Sequence, residues 1–379
     1  MRRQLLLTAV LSTSLLAGCA SWFESNSQFK PTPLVSIKPL QGLEVKWTAG
    51  QAAPAAGFLP VYANGLVVSA DADGHVRSID ALSGRVSADV DLKRKLSAGV
   101  AVAGDTVLVG TQDAKLLAVE RTSGKVLWQQ PLTSLMLEAP QVAGDMVLVR
   151  TNDARLTGFS LAEGGKQLWS SGNVLPQLIV RNNGSMQAVG KEAVMVGQAG
   201  GRLDIINPQT GNPLWQGAVA NPRGATELER MTDVTSRPVF DGGQVCAVAY
   251  QGRVACFEAR SGNLQWAREI SSSRGLAVDG RNVYVTAEDG SVWAFDRGTG
   301  RNLWKTDDLK YRDVTGPALL GRFVLVGDGE GYAHLLSNES GSIVGRVKVG
   351  SGLANQPVSL GSSALMQGKD GRLALLTLG

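Results

Sequence analysis

The chain has 379 residues, of which 46 are glycine, and carries 37 lysine and arginine residues against 33 aspartate and glutamate residues. The formal net charge of +4 is small for this length, so the composition gives no basic surface of the kind that binds nucleic acid. Its two histidines, His75 and His334, lie far apart and suggest neither a zinc site nor a Ser-His-Asp triad.

The first eighteen residues are typical of an export signal, because a basic start at Arg2 and Arg3 is followed by an apolar core and then by small residues. Leu16-Ala17-Gly18-Cys19 resembles the lipobox of bacterial lipoproteins. We therefore expect residues 1–18 to be a signal peptide and Cys19 to carry lipid, including palmitate, which would hold the protein on a membrane. The alternative is an ordinary signal peptide followed by an unrelated cysteine.

The next segment is predicted to be a flexible tether over residues 19–38, since it contains Pro31, Pro33 and several serines. Ala20 follows the lipobox cysteine at the position where a signal for retention in the inner membrane would usually have aspartate. We therefore expect an anchor in the outer membrane, facing the periplasm of a Gram-negative bacterium.

Residues 39–379 are built from a repeat with a period of about 40 residues. The last glycine of a tight turn marks each unit, at Gly84, Gly124, Gly164, Gly211, Gly262, Gly300 and Gly341. A tryptophan recurs four residues later, or five after the doubled glycine at 164 and 165, while Ala88 and Gly345 occupy this position in the two units that lack it. Alternating apolar runs between the turns predict three or four antiparallel strands per unit.

An eighth unit begins at Asp370-Gly371 and is cut off by the C-terminus before its own glycine anchor. The strand LEVKWTA, with Trp47, stands one period before the Ala88 position and has no hairpin ahead of it. This offset indicates a ring closed by the two chain ends. We therefore predict an all-β fold, an eight-bladed β-propeller in which an N-terminal strand pairs with the C-terminal blade, with each indole packed between blades.

Two cysteines remain in the predicted propeller, at Cys246 and Cys256. A three-residue loop over 250–252, with Gly252 in the left-handed conformation, would place them opposite each other across a hairpin. A two-residue loop would place them on opposite faces of the sheet. In the oxidising periplasm both a disulfide and a pair of buried thiols are consistent with the sequence.

The repeat lengthens in two consecutive units, where extra residues follow the outer strand in segments 170–185 and 217–236. Both segments cross from an outer strand to the next inner strand, so they should emerge side by side on one face. We expect the first to contribute an apolar contact surface and the second a charged rim for a protein partner. The predicted contact residues are Leu175, Leu178, Ile179, Val180, Arg181, Glu229, Arg230 and Asp233. The alternative is that residues 178–181 only extend the following strand.

Together, the lipobox, the eight repeats and the crossings LPQLIVR and ELERMTDV resemble the BamB family, lipoproteins of the machinery that assembles outer-membrane β-barrels. The resemblance implies a non-enzymatic scaffold that binds the periplasmic POTRA region of BamA and assists barrel folding, with unfolded barrel proteins as further partners. It assigns the contact to Leu178, Val180, Arg181 and Asp233. The family often has a second acid where this chain has Thr235.

Two other functions are compatible with similar blades. A dehydrogenase that depends on pyrroloquinoline quinone would resemble its relatives in calcium ligands, a catalytic aspartate and often adjacent cysteines, and this chain has no Cys-Cys pair. A cell-wall-binding propeller is the other alternative. We predict no enzyme activity, catalytic residue, metal or cofactor.

Overall fold

A computed structural model describes residues 29–50, 57–172, 178–180 and 185–379. Within these ranges the structure contains no α-helix, and 32 strands form eight antiparallel sheets of four strands each. The first strands of neighbouring blades contact one another around a central axis. The eight-bladed β-propeller predicted from the repeat is therefore confirmed.

The strands are numbered in chain order, and β1 (Leu43–Ala49) belongs to the last blade. Blades one to four consist of β2 (Val61–Ala63), β3 (Leu66–Ala70), β4 (His75–Asp80) and β5 (Val86–Asp91); β6 (Leu96–Ala103), β7 (Thr106–Thr111), β8 (Lys115–Glu120) and β9 (Val126–Pro131); β10 (Gln141–Ala143), β11 (Met146–Arg150), β12 (Arg155–Ser160) and β13 (Lys166–Gly172); and β14 (Met186–Val189), β15 (Ala193–Gly197), β16 (Arg202–Ile206) and β17 (Pro213–Ala218).

Blades five to eight consist of β18 (Val239–Asp241), β19 (Gln244–Val248), β20 (Arg253–Glu258) and β21 (Leu264–Glu269); β22 (Leu276–Val278), β23 (Asn282–Thr286), β24 (Val292–Asp296) and β25 (Asn302–Thr306); β26 (Ala318–Leu320), β27 (Phe323–Gly327), β28 (Tyr332–Ser337) and β29 (Ile343–Lys348); and β30 (Val358–Ser359), β31 (Ser363–Gln367) and β32 (Leu373–Leu378), completed by β1.

The ring closes through pairing of the chain ends. Strand β1 runs antiparallel to β32, with Leu43 opposite Leu378 and Trp47 opposite Leu375, and it forms the outer edge of the sheet β1–β32–β31–β30. This pairing joins the first strand of the ring to its last, so no blade is left with an open face toward a missing neighbour. The closure predicted from the position of Trp47 is confirmed.

Most blades are joined to the next by an indole that lies on a glycine of the neighbouring turn. At Gly300, for example, φ is +66° and an added Cβ would lie 2.4 Å from Cε3 of Trp266 in the preceding blade. The same indole donates a 2.7 Å hydrogen bond from Nε1 to the carbonyl of Arg297. Indole-to-carbonyl bonds of this kind also join Trp47 to Ala81, Trp169 to Pro208, Trp215 to Ala259 and Trp304 to Asn338. Only glycine fits there, because a side chain would displace the ring and strain the backbone.

The two units without the tryptophan solve the same packing problem differently. Val90 of blade one lies against Gly124 of blade two, where an added Cβ would be 2.2 Å from Cγ1 of Val90. In blade seven the space at Gly345 is filled by the backbone of Gln41, whose carbonyl oxygen would lie 2.8 Å from a Cβ. The N-terminal segment thus replaces an indole at the junction beside the closing blade.

Residues 29–41, which we call the strap, lie against blades six and seven. The backbone of Thr32 donates to the carbonyl of Lys310 at 3.0 Å, and that of Leu40 donates to the carbonyl of Val344 at 2.9 Å. The ring of Phe29 stacks on Tyr311 with a centroid distance of 4.8 Å. Although residues 19–38 are predicted to be a flexible tether, residues 29–38 therefore make ordered contacts. Paired backbone groups and an aromatic contact hold an extended segment that has no strand partner of its own.

Two arginine side chains, of which Arg312 is buried and Arg346 is half-buried, hold the strap in place. Arg312 donates from Nη1 to the carbonyl of Thr32 at 2.9 Å and Arg346 from Nη1 to that of Val35 at 3.0 Å. Both arginines reach the same buried pair, since Arg312 Nε donates to Asp328 at 2.9 Å and Arg346 Nε donates to Nδ1 of His334 at 3.1 Å. His334 consequently carries its proton on Nε2, which lies 2.9 Å from Oδ2 of Asp328.

Burial lowers the pKa of His334, and the charges of Arg346 and Arg312 act in the same direction while Asp328 opposes them. Burial alone would raise the pKa of Asp328, but hydrogen bonds from His334, Tyr332 and Arg312 hold it below its usual value. The network is therefore an ionised aspartate with a neutral histidine, a form favoured above the range in which histidine normally titrates.

The two cysteines form a disulfide, Cys246–Cys256, between directly opposed residues of β19 and β20. The hairpin between them has the three-residue loop that the sequence allowed, because Ala249 still pairs with Arg253. The prediction of a left-handed Gly252 was wrong. Gln251 takes that conformation, with φ of 48°, while Gly252 packs against Ala220 and has no room for a Cβ.

Across the parts of the chain that the structure describes, no helix has the length and apolar character needed to span a membrane.

Candidate functional site: the face formed by two long crossings

The two long crossings leave the propeller on the same face. The first connects β13 to β14 and the second connects β17 to β18. Strands alternate in direction within a blade, so every crossing from an outer to an inner strand emerges beside the hairpins between second and third strands. Crossings of consecutive blades therefore lie next to each other, and contacts between residues 178–180 and the second crossing confirm the predicted arrangement.

Asp233 joins the two crossings. Its Oδ2 accepts a 2.5 Å hydrogen bond from the backbone nitrogen of Val180, and its Oδ1 accepts one of 3.0 Å from that of Gly200. Its own carbonyl accepts a bond from the nitrogen of Tyr250 at 2.8 Å. Through its carboxylate and its backbone carbonyl, Asp233 thus ties residue 180 of the first crossing to the turns of blades four and five.

The environment of Asp233 is almost closed to solvent, since only 3% of its surface is exposed. Burial raises the pKa of this carboxyl group, and the backbone hydrogen bonds from Val180 and Gly200 oppose that rise. Two aligned amides stabilise a carboxylate at the cost of its hydration. Asp233 is thus a structural member of the face, rather than the exposed rim residue that the sequence suggested.

The first crossing presents apolar side chains directly above this link. Leu178 is 48% exposed and Ile179 is 37% exposed, whereas Val180 is half-buried. Ile179 and Val180 cover a cavity of about 330 Å³, whose floor includes Arg150, Gln198 and Asp233. An apolar surface that is held by a backbone bond and stands over a polar cavity is suited to receive a protein side chain.

A network of buried charges supports the base of the first crossing. Arg150 pairs with Glu138 and also donates to the carbonyl of Gly197 and to Oγ of Ser185, both at 2.7 Å. Glu138 in turn accepts a 3.1 Å bond from the nitrogen of Met186, at the start of β14. Residues 185 and 186 are thereby fixed to blade three, so the crossing returns to the propeller at a defined point.

The second crossing contains a tight helical turn closed by Thr226 and Glu229. The Glu229 carboxylate accepts backbone bonds from Ala225 at 2.7 Å and Thr226 at 3.0 Å, while Oγ1 of Thr226 accepts the nitrogen of Glu229 at 3.2 Å. These bonds hold the pKa of Glu229 below its usual value. These reciprocal bonds between side chains and backbone form a capping box. Glu229 is thereby committed to its own turn, and Arg230 forms an ion pair with Glu227.

Sequence reasoning missed an apolar residue in this turn. Leu228 is 60% exposed, between the charged side chains of Glu227 and Glu229. On the crossing before blade three, Leu135 is also exposed. The available signal was the pattern Thr-x-x-Glu, which predicts a helical turn and would have placed Leu228 at its solvent side.

Three of the predicted site residues, Cys19, Leu175 and Arg181, lie outside the residues that the structure describes. Of the others, Leu178, Ile179, Val180 and Asp233 come together in one link, whereas Glu229 and Arg230 belong to a separate turn further along the second crossing. The described residues include no group of three or more histidine, cysteine, aspartate or glutamate side chains arranged to hold a metal ion.

Comparison with known proteins gives a consistent relationship. The family model for outer membrane protein assembly factor BamB matches residues 72–306. The chain is 40% identical to outer membrane protein assembly factor BamB of Pseudomonas aeruginosa, over 98% of both chains. Identity to the protein of the same name is 38% in Bordetella pertussis, over 97% of this chain and 96% of that one, and 31% in Escherichia coli, over 99% of both.

Solved structures agree with this relationship. The crystal structure of BamB from Moraxella catarrhalis superposes with a TM-score of 0.79 at 26% identity, covering 89% of this chain and 100% of that one. A quinohemoprotein alcohol dehydrogenase from Comamonas testosteroni superposes with a TM-score of 0.67 at 12% identity, covering 88% of this chain and 76% of that one. The second likeness shows a shared propeller fold alone.

Proposed function

Because the chain belongs to the BamB family, we propose that it is a non-enzymatic scaffold of the machinery that assembles β-barrel proteins in the outer membrane. We propose further that it binds the periplasmic POTRA region of BamA. Support comes from relatives named outer membrane protein assembly factor BamB, which match this chain over nearly their whole length.

The proposal rests on the apolar surface of the first crossing, which a hydrogen bond to Asp233 holds in place. Leu178 and Ile179 are exposed while the next residue, Val180, is fixed by its bond to Asp233. A partner that covers these side chains gains from the burial of apolar area and orders little new backbone, because the loop is already held. Arg181 would add a charged contact at the edge of this surface, as arginine often does in interfaces.

The proposed location is the periplasmic side of the outer membrane, with the chain anchored by lipid on Cys19. Replacement of Cys19 by alanine should release the protein from the membrane fraction into the soluble periplasm. Retention of the Cys19→Ala protein in outer-membrane fractions from cells lacking BamA would contradict a lipid anchor at this residue.

The test of the partner site is co-purification with BamA from detergent-solubilised envelopes. The double variant Leu178→Glu/Arg181→Ala should lose BamA, because it places a charge in the apolar contact and removes the edge cation. Leu214→Glu is the matched control, since Leu214 is 55% exposed on the outer strand of blade four, away from the crossing face, and should leave co-purification unchanged.

Both variants should fold with the melting temperature of the wild type, because Leu178 and Leu214 are exposed. Wild-type recovery of BamA with the double variant would remove the crossings as the contact site. Loss of BamA with both variants would point to a general effect of surface charge and would equally contradict the proposal.

A further inference from the structure

The central channel of the propeller contains a cavity of about 700 Å³ that the proposed scaffold role does not use. Its lining comes mainly from the inner strands of blades four, five, six and eight and from the crossings that precede them. This volume lies within the range of sites that hold small molecules. The channel is therefore large enough for a ligand.

The charged residues that line the cavity are all positive. Arg237 and Arg274 are its charged residues, and no aspartate or glutamate is among the described residues that line it. Arg274 is neutralised locally by Asp313, with 2.8 Å between Nη2 and Oδ1, and Asp313 also pairs with Lys369 at 2.6 Å. Arg237 is therefore the uncompensated cation of the channel.

Arg237 lacks a partner within the described part of the chain. It makes no hydrogen bond or ion pair there, and its Nε is buried without an acceptor. The acidic group that favours its charged form is Glu138, which already pairs with Arg150 and accepts a hydrogen bond from the nitrogen of Met186. Desolvation lowers the pKa of Arg237, and the negative charge of Glu138 opposes this shift.

The two residues before Arg237 repeat this pattern. Thr235 and Ser236 line the same cavity, and their hydroxyl oxygens are buried without a hydrogen-bond partner among the described residues. Unpaired buried polar groups are rare in proteins because each costs free energy, and three in a row point to a missing ligand atom. Guanidinium and hydroxyl donors together match an oxyanion.

We propose that Thr235, Ser236 and Arg237 form a binding site in the central channel for a small molecule that carries a phosphate, sulfate or carboxylate group. The site is independent of the partner surface, because Leu178 and Ile179 do not line the channel. The oxyanion supplies the acceptors that Arg237 lacks, and the rest of the molecule occupies the apolar part of the cavity, near Leu276 and Val358.

The test measures the melting temperature of the mature full-length protein in sodium chloride, phosphate, sulfate and acetate at equal ionic strength. Binding of an anion to the folded state alone should raise the melting temperature in proportion to the logarithm of its concentration. Arg237→Met should shift this response to anion concentrations that are about tenfold higher or more, because the charge-assisted bonds are lost. Arg274→Met is the matched control from the same cavity and should keep the response.

Two further results decide the question. In chloride alone, Arg237→Met should melt at a higher temperature than the wild type, because it removes a half-buried charge that has no counter-ion among the described residues. A lower melting temperature would mean that the guanidinium has a structural partner, which would overturn the proposal. So would a phosphate response of equal size in Arg237→Met and wild type, because that result would reflect general salt stabilisation, and so would the absence of any response in the wild type.

Discussion

The backbone nitrogen of Val180 and the carboxylate of Asp233 are 2.5 Å apart, although 53 residues separate them in the chain. This bond links the two long crossings, and it stands beneath Leu178 and Ile179, the exposed residues of the proposed partner surface. The shape of that surface thus depends on a buried acid that a partner need not touch. Mutations at Asp233 should consequently act on binding through the loop.

Asp233→Ala should loosen the first crossing. Two amides lose a charged acceptor, so we expect a loss of about 1–3 kcal/mol in the free energy of unfolding. Hydrogen exchange at Val180 and Gly200 should accelerate, and BamA binding should weaken because the apolar surface is no longer fixed. Glu229→Gln is the control, since Glu229 caps only its own turn and should leave exchange at Val180 unchanged. Unaltered exchange in Asp233→Ala would show that the link does not hold the loop.

The indole-on-glycine junction gives a second prediction. Trp266→Ala should cost about 3–5 kcal/mol, as large deletions in a packed core do. Gly300→Ala should destabilise more than Gly104→Ala, because Gly104 has a similar φ of +60° but no neighbour within 4 Å of the added Cβ. The comparison separates overlap with the ring from backbone strain, which alone costs about 1–2 kcal/mol.

Urea unfolding of the double variant provides the check on this junction. With the indole absent, Gly300→Ala should cost no more than Gly104→Ala, so the double variant should lose less than the sum of its single variants. Additive losses would mean that the overlap with Trp266 is not the reason for glycine at this position.

Stability should depend on pH through His334. Its pKa is lower in the folded protein than the ordinary value of 6.5, so the unfolded chain takes up the proton first as the pH falls. The contribution of the neutral histidine is complete above about pH 6.5 and is lost as the pH falls toward the folded pKa. The lowered pKa of Asp328 produces a separate loss below its ordinary value of 3.8.

Urea midpoints measured between pH 7.5 and pH 5 should therefore fall in the wild type and fall less in His334→Gln. His75→Gln is the control, because His75 lies on the surface of blade one and does not touch the strap. Protonation at Nδ1 also removes the acceptor of Arg346, so proteolysis near Val35 should become faster at pH 5. Identical pH slopes in wild type and His334→Gln would exclude this network as the source.

The disulfide closes a short loop, since its two cysteines have a sequence separation of 10. Its removal in Cys246→Ala/Cys256→Ala should lower the free energy of unfolding by about 2–3 kcal/mol, as expected for a loop of this length. Unfolding of the wild type with and without reductant should give a similar difference. Equal stability of the oxidised wild type and the double variant would contradict this contribution.

The fold was predictable because the propeller repeats itself. Seven turns with the same spacing fix the strands, and the position of Trp47 fixes the closure, since a period shared by many units averages out local ambiguity. The hydrogen-bond partners of single residues were harder to predict from the sequence. Asp233 reads as a surface acid in ELERMTDV, and only the three-dimensional proximity of Gly200 and Val180 reveals that it is buried.

The docking site of the strap could not be predicted from sequence patterns either. Residues 29–41 have no alternation and contain prolines, which favour an extended segment without indicating where it docks. Its binding depends on Arg312 and Arg346, nearly 300 residues away, whose charges face inward because Asp328 and His334 lie beneath them. Such long-range polar contacts leave no periodic trace in a single sequence.

The order of contacts along the N-terminal segment determines how the molecule responds to force. A pull on the chain ahead of Phe29 meets Thr32, Val35 and Leu40, held to blades six and seven, before any load reaches Leu43 and the strand that seals the circle. These bonds should therefore break before the pairing of β1 with β32 is loaded. Tension applied to the N-terminal end of the strap should detach the strap first and leave the eight blades joined.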